Sequence, residues 1–339
     1  MAGRTRLRAL LTIGALAATG APALAAPDAC DSLTPAAVGG PLLPAASDTV
    51  VVRWLGNANY EVTFGGKVFL FDAYFDRVAR SRPIGFAVPD VRKADAILVS
   101  HAHFDHISDI GPVARQTGAT VVGAPITIET AIKLGVPAQQ TKVVKGGETL
   151  HFGDVAVETA LARHSTIQDG LVEAYGNLYK VETRPDTPEE AAHTKDVRAR
   201  GTFAPEVIDK GTLAFALVLR NGFSIVVIGS AGPITDGDRE LAKKLGRADV
   251  AIVAYQPHAV AERQIVDTWP LIELFNPRLY LPAHHDHSFG VWLDLGLEPL
   301  FQKLRDEKPG TKFAAPLYRS AICIATTGQK RGNILKIRY

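Results

Sequence analysis

The stretch His101-Ala102-His103-Phe104-Asp105-His106 stands directly behind the apolar run Ala96-Ile97-Leu98-Val99-Ser100, so three imidazoles and a carboxylate share one tight turn at a strand end. Neutral imidazole and carboxylate are the donors that zinc and ions of similar softness take. Four such donors within six residues do not readily converge on one ion, and the spacing points to two. A structural zinc cage is the competing reading, since it too gathers histidines. Such cages are closed and usually rich in cysteine, whereas this chain has only Cys30 and Cys323, both remote from the turn in sequence. An open, catalytic metal site is therefore the expectation.

Outward from the turn, short apolar strands alternate with helical stretches. Residues 50–54, 60–64 and 67–71 read as consecutive strands, the last two joined by Gly65-Gly66, a hairpin signal. Residues 96–100 deliver the turn, and a helix is expected from about Ile107. A strand at 120–122, a helix at 126–134 closed by Gly135, and strands at 141–144 and 155–161 follow. Residues 165–210 are polar and read as an insertion near the site. Within it, Thr187-Pro188-Glu189-Glu190 combines a cap, a proline at the first helical position and a capping-box glutamate. The insertion is either a solvated helix and loop or a lid that shapes the substrate pocket. Beyond it come a hairpin (212–219 and 223–228) through Asn221-Gly222, a helix at 236–245 and a strand at 250–254. A helix at 262–275, expected to be interrupted near Pro270, and a strand at 278–281 then lead into Pro282-Ala283-His284-His285-Asp286-His287. Two blocks of strands with helices between and after them predict an α/β sandwich, two packed sheets with helices outside. With 47% hydrophobic and 21% charged content over 339 residues, one large domain from 49 to 339 is expected.

The N-terminus reads as a secretory signal. Arg4, Arg6 and Arg8 form a positive start, residues 9–20 an apolar core, and Ala23-Leu24-Ala25 a small-residue cleavage site, so residues 1–25 are expected to be removed. The apolar run is far shorter than the ~20 residues of a spanning helix, so no stable membrane anchor is expected after cleavage. Residues 26–48, rich in Ala, Pro, Gly and Ser, read as an extended or mobile lead-in. Losing Arg4, Arg6 and Arg8 turns a net charge of +2 into −1, with histidine neutral. That leaves no basic field for nucleic acid and favours a small-molecule substrate. Export to a secreted or periplasmic setting permits a disulfide between Cys30 and Cys323, although one tail thiol and one buried thiol fit the spacing equally. Oligomeric state is not legible.

Three strand ends deliver imidazole: the turn at 101–106, His164 after the strand 155–161, and the loop from Pro282. Together with Trp54-Leu55-Gly56-Asn57-Ala58 and Phe69-Leu70-Phe71-Asp72, this arrangement resembles the metallo-β-lactamase superfamily across nearly all of residues 50–290. Among its branches, the Trp-Leu-Gly opening and the Pro-x-His-x-Asp ending are most similar to the group containing ascorbate-6-phosphate lactonase and related hydrolases. The resemblance implies a four-layer αββα sandwich. It also implies His101, His103 and His164 around a first metal, and Asp105, His106 and His284 around a second. Asp72 would steady the site, its plainer reading being a strand-end turn acid. Ser230 stands where many members carry a metal-bridging aspartate, which weakens the case for the second ion, and Asp236 could replace it only if its loop folded back.

The cofactor implied is zinc, one ion or two, with manganese and iron open. In the mechanism implied, a metal-activated hydroxide oriented by Asp105 attacks a small ester, lactone, amide or phosphodiester, and His287 is placed to protonate a leaving group. His285 and His287 compete with His284 as ligand. His258, Asn59, Tyr60, Tyr74, Trp292 and Asp286 are expected around the pocket. A zinc β-lactamase is the alternative enzyme, although Ala162-Arg163-His164-Ser165-Thr166 lacks the Gly-His-Thr-x-Gly usual there. A metal-binding protein without turnover is the alternative outside enzymes.

Overall fold

The computed structural model describes Met1 and residues 28–165, 184–255, 261–286 and 296–338. The signal-peptide reading, the front of the insertion, His258, His287 and Trp292 lie outside the described residues. Fifteen strands are described in chain order: β1 (Thr49–Trp54), β2 (Tyr60–Phe64), β3 (Lys67–Phe71), β4 (Ala96–Leu98), β5 (Thr120–Gly123), β6 (Thr141–Val143) and β7 (Thr149–Phe152). They continue with β8 (Val155–Leu161), β9 (Leu213–Leu219), β10 (Ser224–Ile228), β11 (Val250–Ala254), β12 (Leu279–Ala283), β13 (Lys312–Phe313), β14 (Ala321–Ala325) and β15 (Ile334–Ile337).

One sheet runs β15-β14-β1-β2-β3-β4-β5-β6 and the other β13-β12-β11-β10-β9-β8-β7. Each is mixed. The hairpins β1–β2–β3 and β7–β8–β9–β10 are antiparallel, and β3–β4–β5–β6 and β10–β11–β12–β13 are parallel. Most of the antiparallel pairs are joined by short turns, β8 and β9 instead by the long insertion, whereas parallel neighbours need longer crossovers. Inward residues of both sheets, among them Val50, Val52, Phe69, Leu98, Val157, Phe215, Ile252 and Leu281, form the central core.

Helices cover the outer faces. On the first sheet, α1 (Phe104–Ile107), α2 (Ile110–Thr117) and α3 (Pro125–Lys133) lay Ile107, Val113 and Ile128 over Leu70, Ile97 and Val121. From the insertion come α4 (Pro188–Ala199) and α5 (Pro205–Asp209). On the second sheet, α6 (Asp236–Leu245), α7 (Ala261–Phe275) and α8 (Glu298–Glu307) bury Leu241, Ile272 and Leu304 against Val226, Ala251 and Val253. The expected αββα layering is thus present. Among the described residues no helix is long and apolar enough to cross a membrane.

Three local expectations change. The first helix begins at Phe104, inside the metal turn rather than after it. Helix α7 continues through Pro270. A proline there removes the bond to the carbonyl four residues back, and that residue, Val266, is exposed, so solvent can take the vacant acceptor. Finally, residues 28–48 are held rather than mobile. Arg53 on the outer face of β1 is fully buried, paired with Glu61 at 3.6 Å and donating to Ala29 O at 2.6 Å. Glu61 accepts from the amides of Ala36 and Ala37 at 3.0 and 2.7 Å. A buried ion pair is tolerated better the more of its donors and acceptors are met, and the lead-in backbone meets Arg53 Nη2 and both Glu61 oxygens. Composition concealed this because alanine and proline pack by backbone shape, without a periodic signal.

The same segment is fastened covalently by a disulfide from Cys30 to Cys323 on β14, with Cα atoms 5.9 Å apart. It closes a loop with a sequence separation of 293 residues. Non-reducing peptide mapping is expected to recover the linked peptides. Cys30→Ser is expected to lower unfolding stability by up to about 5 kcal/mol, read from denaturant titration.

Candidate metal centre

The six donors predicted from sequence come together as two buried groups, His101–His103–His164 and Asp105–His106–His284. Within each group the donor atoms lie within 4.8 Å of one another. They arrive from the ends of β4, β8 and β12, all on one edge of the sandwich. His101 and His106 rings approach to 3.8 Å between centroids, which sets the two groups side by side.

Hydrogen bonding decides which ring nitrogens face inward. Asp72, at the end of β3, accepts from Ser100 N at 2.7 Å and Ser100 Oγ at 3.0 Å, and pairs with His106 Nδ1 at 2.7 Å. Because a carboxylate only accepts, Nδ1 of His106 carries hydrogen and Nε2 faces the group. Ser100, having donated its proton to Asp72, receives His101 Nδ1 at 3.0 Å. His101 Nε2 is then a buried lone pair without a hydrogen-bond partner among the described residues. His164 Nδ1 donates to Ser165 O at 2.7 Å, which likewise turns its Nε2 inward. Buried lone pairs aimed at one another are costly alone and suited to a cation. The residues present therefore fit a divalent metal.

Electrostatics agree for the first group. Burial, reinforced by neighbouring imidazoles, holds His101 well below the usual histidine range, His103 at about 3 and His164 at about 4, so all three are neutral donors at pH 7. Burial opposes ionisation of Asp105, but His106 and His284 outweigh it and hold the carboxyl well below its ordinary value. Its Oδ2 lies 3.1 Å from His284 Nε2 and 3.7 Å from His106 Nε2.

The backbone is bent to serve this geometry. Asn57, Asp72 and His284 have φ of 50°, 60° and 58°, left-handed values that side chains other than glycine seldom take. Each is tied: Asn57 N to Asp286 Oδ1, Asp72 N to Leu98 O, His284 N to Asn57 O. Asn57 Nδ2 also donates to Asp105 O at 2.6 Å. Gly229 after β10 is required by contact, because a Cβ there would stand 2.6 Å from Ser100 Oγ.

The remaining predicted residues take other places. His285 turns away and stacks on Trp54, 4.1 Å between centroids, leaving His284 in the metal group. Ser230 accepts from Ser165 N at 3.1 Å, beside His164. Asp236 opens α6. Asn59, Tyr60 and Tyr74 are fully buried rather than pocket walls: Asn59 bonds Tyr74 N and O, and Tyr60 donates to Pro282 O. Asp286 is an anchor, gripped by Arg77 at 2.7 Å and by the Tyr318 hydroxyl. Sequence reading missed Ser100, Asn57, Arg77, Tyr318 and Asp109. Ser100 had a signal, its place directly before His101; Arg77 and Tyr318 had none.

The chain has recognisable relatives. The model of the beta-lactamase superfamily domain matches residues 67–285. The chain belongs to the metallo-β-lactamase superfamily. A UPF0173 metal-dependent hydrolase of Cupriavidus necator is 28% identical over 292 residues, covering 84% of this chain and 88% of that protein. Among solved structures, Igni18, a metallo hydrolase from Ignicoccus hospitalis, aligns with a TM-score of 0.56 at 14% identity over 81% of this chain and 98% of its own. CmlA, a diiron β-hydroxylase from Streptomyces venezuelae, aligns with a TM-score of 0.51 at 14% identity over 81% of this chain and 54% of its own. These structures share the fold.

Asp72→Asn is expected to weaken metal affinity roughly 10- to 100-fold, read by chelator competition, with the fold retained by circular dichroism. A second expectation concerns Asp109, which accepts from Phe75 N and Asp76 N and meets Arg200. Burial pushes its carboxyl up to about 6 in spite of these donors. An acid whose folded pKa exceeds its unfolded value binds more protons when folded, so its contribution to stability falls as pH rises from about 4 to 6. Wild type should therefore lose up to about 3 kcal/mol relative to Asp109→Asn across that window, measured by urea titration at each pH.

Proposed function

We propose that the chain, a metal-dependent hydrolase of the metallo-β-lactamase superfamily, works with zinc on a small neutral ester or lactone outside the cytoplasm. The observation that carries this reading is the pair of buried three-donor groups, whose imidazoles are already oriented by Asp72, Ser100 and Ser165 O. Imidazole and carboxylate without thiolate suit zinc, and also manganese or iron, so the metal has to be identified directly. Bound there, such ions supply an attacking water that ionises near neutral pH and an electrophile for the substrate's carbonyl oxygen.

The chain's own groups do the rest. Asp105, ionised and shared between His106 and His284, would accept a hydrogen bond from that water and hold it in line. His101, His103 and His164 remain neutral, so the first group adds no charge of its own. Three protein donors in each group would leave a bound ion open to substrate, the pattern of catalytic rather than structural sites. The resemblance of the Trp54-Leu55-Gly56 and Pro282-x-His284-x-Asp286 segments to the lactonase-containing branch supports a lactone or ester. The Cys30–Cys323 disulfide and the leader-like residues 1–25 support an oxidising, exported setting. A net charge of −1 after cleavage supports a small-molecule substrate over nucleic acid.

Purified protein is expected to hold about one to two zinc ions per chain by plasma mass spectrometry. His103→Ala should lower hydrolysis of a lactone panel by more than about 100-fold, beyond the loss expected from an outer hydrogen-bond partner. Protein that holds none of zinc, manganese or iron, or a His103→Ala variant with full activity, would end the proposal.

A further inference from the structure

The insertion does more than cross the surface: the turn between its helices α4 and α5 is fastened onto the metal turn. Arg200 meets Asp76 at 2.9 Å and Asp109 at 3.2 Å, both beside the strand ends that carry the site. Gly201 lies so close that a Cβ would stand 2.4 Å from Phe104 N and 3.0 Å from the His103 carbonyl carbon. Thr202 N donates to Ala102 O at 2.9 Å. With three successive residues fixed in this way, the position of Phe203 is set by backbone rather than by its own packing.

The Phe203 ring lies against His103, with centroids 4.7 Å apart and planes tilted by 32°, and 6.0 Å from the ring of Phe104. Even so, the residue keeps 59% of its surface exposed. A lone exposed apolar residue is ordinary and needs no account. Phe203 differs because one side of it covers the imidazole of a metal group while the rest faces outward at the same place. Arg198 covers the neighbouring Phe104 ring at 5.7 Å, and Arg163, next to His164, is engaged by Asp209 at 2.9 Å. Among the described residues, Arg198 and Arg163 at this rim thus have protein partners, and the open aromatic surface suits an uncharged group.

We infer that Phe203 is a specificity-determining wall of the site, and that it receives the aryl or alkyl group beside the scissile bond of the substrate. The inference rests on the hydrolase reading and adds the class of group recognised. A ring already resting on His103 and Phe104 loses less freedom when a second ring packs on it at about 4.5–7 Å, so the contact is expressed in affinity.

The test uses zinc-loaded full chain and two chelating probes, acetohydroxamate and benzohydroxamate, with dissociation constants from calorimetry and zinc content measured in parallel. Wild type is expected to bind benzohydroxamate about tenfold more tightly than acetohydroxamate, and F203A to bring that ratio close to one. F203Q, long enough to keep His103 covered but polar, should lower the ratio likewise and serves if F203A loses zinc. An unchanged ratio in a zinc-replete variant, or no preference in wild type, overturns the inference and leaves the hydrolase reading standing. Failure of both probes to bind zinc-loaded wild type likewise overturns this inference alone, whereas protein that takes up no zinc, manganese or iron overturns the hydrolase reading and this inference with it.

Discussion

The Asp72 carboxylate, buried at the end of β3, is the constraint from which the site's geometry follows. It holds the amide and hydroxyl of Ser100 and the Nδ1 of His106, and through Ser100 it sets His101. A buried carboxylate must be fully hydrogen-bonded to be tolerated, and the partners that satisfy Asp72 are the ones whose orientation the metal groups need. One acid therefore determines the inward nitrogen of ligands in both groups. The left-handed backbone of Asp72 is the local cost of aiming that carboxylate across from β3 to β4.

A second layer of restraint holds the loop that brings His284. Asp286 receives Asn57 N, Arg77 and Tyr318, and Asn57 in turn bonds His284 N and Asp105 O. Residues from the β1–β2 turn, the 72–77 loop, the β12 loop and the chain before β14 meet in this knot. Such a network ties distant strand ends to one another and prevents the two donor groups from drifting apart, which matters where an ångström of misplacement costs catalysis.

These two layers explain what could be read from sequence. The turn 101–106 was legible because its donors are local, and His164 and His284 because each follows an apolar strand. Asp72 was legible through the resemblance of its segment. Asn57, Arg77 and Tyr318 were not, since their chemistry is expressed only across separations of 229 residues for Asn57 and Asp286 and 209 for Arg77 and Asp286. The same limit applied to the lead-in. Nothing in its Ala- and Pro-rich composition shows that its amides cap Glu61, because the need for them arises from Arg53 and Glu61 on other strands. Apolar periodicity gave the layers, and buried polar satisfaction gave the joints between them.

The insertion shows how substrate selection can be added to such a scaffold without disturbing it. Its helix α4 begins with a capping box, in which Thr187 and Glu190 satisfy each other's backbone amides, and so needs little from the core to form. Its exit is the opposite: Arg200, Gly201 and Thr202 are committed to the metal turn and to the acids beside it. A segment locally stable at one end and rigidly docked at the other can vary its projecting residue while the donor groups stay fixed. Selectivity then changes through Phe203 with Asp72, Ser100 and the six donors untouched, which separates the evolution of substrate choice from that of the metal chemistry.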